Sequence, residues 1–268
     1  MKYLRELFGA LVATFRDGSR LLWLAPLIAL IAGLPEFAQH IAEIKLGMFT
    51  SAEAFKALQN DPARWAFGYV KITGLFLAIF AAARYWSMPA GSRQRWWDLR
   101  TVAWRQFGIG LAINAVLSAA LYALKPALSA NALEGLNIAL TIATLPLMVY
   151  MLGGLFGDRT VSLRQVYRTG WWQALVMAAM FLLAMFPAQM VHRFDHTLAM
   201  GAAPPAVWAL MAWDAVLVSL IACWTGTGLA AGYAAAPKGP AQTSVTGTTD
   251  PATPAPLSRA AEAEALGA

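Results

Sequence analysis

The chain has 268 residues, of which 59% are hydrophobic and 13% charged, with a net charge of +6 and a mean hydropathy of +0.54. A water-soluble domain of this length needs far less apolar surface for its core, so the excess faces lipid. The positive charge is spread along the edges of apolar runs and forms no basic domain, which argues against a nucleic-acid binder and for anionic lipid headgroups as partners.

The N-terminal arm carries Leu4, Leu7, Phe8, Leu11 and Phe15 at helical spacing, with Lys2, Arg5, Glu6 and Arg16 for a polar side. Basic residues continue to Arg20 and no Ala-x-Ala site follows, so the first helix is expected to be retained and not cleaved as a signal peptide. The first apolar run, 21–37, is short and contains Pro26 and Pro35. It reads as a re-entrant segment or as a crossing, and a crossing is expected because Glu36 near its end can reach headgroup water.

Five further runs follow at 65–83, 107–124, 135–157, 170–191 and 206–233. Most approach or exceed the roughly 20 residues a helix needs to cross a hydrocarbon core about 30 Å thick. Barrel strands alternate apolar and polar residues, whereas these runs are continuously apolar. The expected fold is therefore all-α: a six-helix transmembrane bundle in residues 1–236, with amphipathic cytoplasmic helices at the interface. The first, third and fifth spans each follow a segment of helical periodicity, suggesting three copies of one unit; Trp96, Leu99, Ala103 and Phe107 mark the second, and Leu163, Val166, Tyr167 and Trp171 the third.

In the longest inter-span loop, 41–64, Thr50 and Glu53 match a capping box before a short helix. The Pro-, Thr- and Ala-rich segment 237–268 reads as a disordered cytoplasmic tail. Alternate loop regions hold twelve Lys and Arg against six in the others, which predicts cytoplasmic termini. On the richer side, Arg93, Arg95, Arg100, Arg164 and Arg168 are candidates for contact with lipid headgroups.

Asp214 is the one acidic residue well inside an apolar run, and an intramembrane charge is a functional hypothesis by default. If its span begins at Ala206 it lies near the midplane, where it can pair with Lys71 in an ion route; if the span begins at Trp213 it is interfacial. All three histidines, His40, His192 and His196, fall near the outer surface, and His192 and His196 have a spacing compatible with zinc on one helical face. The lone Cys223 excludes an intramolecular disulfide and reads as a small buried hydrophobe. Gly153/Gly157 and Gly228/Gly232 have the spacing of close helix contacts, expected within the monomer, while Asn114 and Gln189 are expected to hydrogen-bond between helices. No nucleotide-binding loop or catalytic triad is recognisable, and no cofactor is called for.

Phe15-Arg-Asp-Gly-Ser-Arg-Leu-Leu-Trp-Leu-Ala-Pro and Val161-Ser-Leu-Arg-Gln-Val-Tyr-Arg-Thr-Gly-Trp-Trp resemble the membrane-embedded region of bacterial glycerophosphodiester phosphodiesterases and related stand-alone six-span envelope proteins. The resemblance implies a bacterial inner-membrane location and a connection with lipids. It transfers no catalytic residue, because the catalytic barrel of those enzymes is missing. The leading expectation is a non-enzymatic inner-membrane protein organising lipid or a partner membrane complex. A secondary transporter using Asp214 and Lys71 is the alternative, and an outer-surface metal-binding protein or metalloenzyme is the third.

Overall fold

The computed structural model describes residues 2–235; the expected tail at 237–268 lies outside them. In chain order the helices are α1 (Lys2–Leu24), α2 (Pro26–Lys45), α3 (Ala52–Leu58), α4 (Pro62–Ser87), α5 (Trp104–Leu124), α6 (Ala130–Phe156), α7 (Leu163–Thr169), α8 (Trp171–Ala199) and α9 (Pro204–Ala234). Short 3₁₀ turns occupy Met48–Thr50, Ala90–Arg95 and Leu99–Thr101, and no strand occurs among the described residues. Six helices, α2, α4, α5, α6, α8 and α9, are long and apolar enough to cross a membrane. The molecule is an all-α, multi-pass membrane bundle.

The apolar run expected at 21–37 is divided between the end of α1 and α2, and α2 extends to Lys45. Pro26 sits at the start of α2 and disfavours helix at the preceding residue, so Ala25 leaves the helical region and α1 stops at Leu24. At the other end, burial of the charged residues lets α2 continue past Glu36. Pro35 cannot donate to the Ile31 carbonyl, and α4 approaches that carbonyl at Gly74, where a Cβ would lie 2.5 Å from it.

The central helix is α9, which packs on α1, α2, α4 and α8. Close approach depends on glycine: Gly226 faces Ile79 and Ala82 of α4, Gly228 faces Thr14 and Met180, and Gly232 faces Met177. Gly228 and Gly232 thus serve contacts within the chain, as does Gly153 against Tyr233 and Val161. Cys223 is fully buried. Asn114 departs from expectation, because its amide donates to Gly110 O one turn back in its own helix.

The three segments expected at the interface differ from one another. α1 is a full helix whose Leu7, Ala10 and Leu11 pack on Val176 and Met180, whereas Leu4 and Phe8 from the same stripe stay exposed. The second segment folds as 3₁₀ turns around buried Arg84, which donates to the carbonyls of Trp96, Asp98 and Leu155 and to the Thr101 hydroxyl. The third contains the seven-residue α7. Below, the end of the bundle holding residues 88–103 and 157–170 is called the basic end, and the opposite end, with residues 46–61 and 200–203, the site end.

Candidate metal centre

Glu36, His40 and Glu43 follow one another at i, i+4 and i+7 on α2, a spacing that stacks them on one helical face. Their side chains are fully buried. The face meets α8, which continues as helix through His192 and His196, and α9, which contributes Asp214. Because α9 begins at Pro204, Asp214 lies about 15 Å along the helix at 1.5 Å per residue, and it is fully buried. Asp214 is therefore shielded from both lipid and water by the neighbouring helices.

Asp214 gathers the three histidines. Its Oδ1 and Oδ2 lie 2.7 and 2.8 Å from His192 Nδ1, its Oδ2 lies 2.9 Å from His40 Nε2, and His196 Nε2 is 3.7 Å from Oδ2. The second nitrogen of His40 faces Glu43 Oε2 at 3.0 Å, and Glu36 Oε1 approaches His40 Nε2 at 3.2 Å. Ionised carboxylates only accept hydrogen bonds, so a proton or a cation must stand between these oxygens and the ring nitrogens.

Basic side chains from α4 complete the cluster. Lys71 Nζ donates to Glu36 Oε1 at 2.6 Å, and Arg64 Nε donates to Glu43 Oε1 at 2.8 Å, where Gln39 Nε2 also donates. The expected Lys71–Asp214 pair does not form. Lys71 lies on the α4 face packed against α2 and is intercepted by Glu36, while Asp214 is saturated by imidazoles; Glu36 and His40 connect the two. Counting Asp195, which is also buried, four carboxylates face two fixed cations, an excess of two negative charges when the imidazoles are neutral.

Several buried atoms have no hydrogen-bond partner: both ring nitrogens of His196, Glu36 Oε2 and Asp195 Oδ2. Buried polar atoms are rarely left so, and a ligand is one of the ordinary explanations. Three overlapping triads have ligand atoms within 4.8 Å of one another: His40/Glu43/His196, His192/His196/Asp214 and Glu36/His40/Asp214. Ligand atoms about 2.0–2.1 Å from a tetrahedral zinc lie about 3.3 Å apart, so closure on an ion needs the wider pairs to contract by roughly 1.5 Å or less and the hydrogen-bonded His–Asp214 pairs to open by about 0.5 Å. The three histidines singled out in the sequence are thus brought into one site, and Asp214 joins them there.

A roof of aromatic side chains covers the cluster. Gly47 at φ +77° turns the chain after α2 and directs Phe49 inward, where it packs with Ala199, Val207 and Met211. Phe49 and Phe55 stand 5.7 and 6.2 Å from the His196 ring, and Phe49 O accepts from Gly201 N at 2.8 Å. The helix under the roof is capped by Ser51 and not by the expected Thr50, whose hydroxyl donates to Gly47 O.

At the basic end, Arg93 lies over Trp86, 4.6 Å from the ring centroid, whereas Arg95, Arg100, Arg164 and Arg168 are exposed. No family profile, curated protein or solved structure matches the chain. The functional reading therefore rests on its own residues.

Proposed function

We propose that the protein is an integral membrane protein that binds one divalent transition-metal ion of the zinc class between α2, α8 and α9. The observation that carries the reading is His196, whose two ring nitrogens are buried and neither hydrogen-bonded, placed beside His40, His192 and Asp214. Imidazole and carboxylate are the ligands such an ion prefers, and with the imidazoles neutral, as metal ligation requires, a divalent charge offsets the two excess carboxylates. Glu43 and Glu36 orient His40 from the flank, as outer groups commonly do for metal-bound imidazoles. On the side away from the roof the same helices pack on Ile28, Val218 and Ile221, which favours binding from the site end over passage through the bundle.

The excess of Lys and Arg at the basic end supports a placement with both termini in the cytoplasm and the metal centre in the outer half of the membrane. The resemblance of 15–26 and 161–172 to bacterial envelope proteins supports the inner membrane as the location. Transport through the Lys71–Glu36–His40–Asp214 chain is the second reading, favoured by the continuity of those contacts.

The test is zinc stoichiometry of the purified protein in mild detergent, after chelation and equilibrium dialysis, beside His196→Gln. The wild type should take up about one ion per chain, and the variant should bind at least about tenfold more weakly. Because the one polar contact of His196 is the 3.7 Å approach to Asp214, the thermal stability of the metal-free protein should change little. Absence of stoichiometric zinc in the wild type, or equal affinity in the variant, would refute the reading.

A further inference from the structure

A second feature lies away from the metal centre and does not depend on it. Between α4, α5, α6 and α8 there is a cavity of about 730 Å³. Its walls include Phe76 and Phe80 of α4, Leu111 of α5, Met148 of α6 and Phe181 of α8, and no charged residue lines it. The cavity exists because the α5–α6 hairpin packs tightly on itself but touches the rest of the bundle sparingly. Near the basic end the two helices of the hairpin are held to each other by Ala103 N to Gly154 O at 2.8 Å and by the approach of Met151 to Gly110. Beyond those points, residues 111–145 are exposed or half-buried throughout.

The cavity is reached from the basic end and extends to about the middle of the helices. On α4 its lining runs from Phe80 to Thr73, on α5 from Leu111 to Ser118 and on α8 from Ala178 to Leu182. Those residues lie about 10–21 Å from the basic ends of their helices, within reach of a chain entering from the nearer half of a hydrocarbon core about 30 Å thick. The neighbouring charge is of the right sign. Arg164, Tyr167 and Arg168 share one face of α7, both arginines are exposed, and the Tyr167 hydroxyl donates to Ala143 O at 3.0 Å, next to the cavity-lining Thr144.

From this geometry we infer that the cavity holds an acyl chain of an anionic phospholipid, with the headgroup phosphate held by Arg164 and Arg168 on α7. Guanidinium groups suit phosphate through paired hydrogen bonds, and the walls are mostly apolar, with Thr73, Asn114 and Thr144 already bonded to carbonyls of their own helices. The site selects by charge at α7 and by shape between the helices. A lipid held there fills the space between the hairpin and α4 and α8, so the occupant becomes part of the packing of the bundle.

The experiment is photolabelling of the full chain in nanodiscs with phosphatidylglycerol carrying a diazirine on one acyl chain, and with the phosphatidylcholine equivalent. Phosphatidylglycerol adducts should concentrate on the cavity walls of α4, α5, α6 and α8. Ala115→Trp, which fills the cavity from α5, should lower labelling by both probes at least about fivefold. Arg164→Gln with Arg168→Gln should lower phosphatidylglycerol labelling to the phosphatidylcholine level; these exposed residues give a second test if the tryptophan variant fails to fold. Adducts spread evenly over the exposed helices, equal labelling by the two probes in the wild type, or a protein cross-linked at the cavity walls in native membranes would overturn the inference.

Discussion

At the level of single residues, the cluster is decided by which partner each charge finds. Lys71 is oriented by Glu36, a fully buried carboxylate whose other neighbour is His40. Removing one member of a buried ion pair leaves an uncompensated charge, at a cost of about 3–5 kcal/mol, while removing both is far less costly. Lys71→Met should therefore lower the amount of folded protein in native membranes or its thermal stability, and adding Glu36→Gln should restore most of the loss. Asp214→Asn should give no such rescue of Lys71→Met, because the two residues are not in contact. Rescue by Asp214→Asn in place of Glu36→Gln would mean that the pairing is misassigned. Charge and hydropathy marked Lys71 and Asp214 as unusual, but they could not show the Glu36 carboxylate standing between them.

Among the elements, Arg84 shows how a basic residue that satisfies a topology count can also organise a fold. Its guanidinium is buried and serves three carbonyls and a hydroxyl, tying α4 to the turns after it and to the end of α6. Arg84→Met should cost on the order of 2–4 kcal/mol, since buried acceptors lose charge-assisted partners, and should appear as a lower unfolding temperature in detergent. An unchanged temperature would show that water replaces the guanidinium. The positions of the six crossings were legible because apolar runs of that length have few alternatives. Their ends were less so: the α2 run appeared to stop at Glu36 because its last charged residues are buried against other helices, which composition does not record. The i, i+4, i+7 spacing of Glu36, His40 and Glu43 was visible, but it carries meaning only once the helix is known to continue to Lys45. Residues 90–101 form 3₁₀ turns in place of the expected helix, and the carbonyls of Trp96 and Asp98 accept from Arg84.

Across the whole molecule, α9 joins two features of different chemistry. Toward the site end it brings Asp214 against α2 and α8 beneath an aromatic roof, and toward the basic end its glycines admit α1, α4 and α8. The α5–α6 hairpin stands apart from this hub, which is why an apolar cavity opens on one side of the bundle while the polar cluster on the other is closed. Helical period identified which residues share a face, but it could not identify the face opposite. The meeting of His40 with His192, His196 and Asp214 across three helices is a property of the assembled bundle.

X-ray absorption at the zinc edge of the loaded protein tests the central claim most directly, because it reports the atoms around the ion. A first shell of nitrogen and oxygen at about 2.0–2.1 Å, with the multiple-scattering signature of at least two imidazoles, is predicted. A shell of oxygen alone, or a spectrum unchanged by His196→Gln, would contradict a metal centre built from His40, His192, His196 and Asp214.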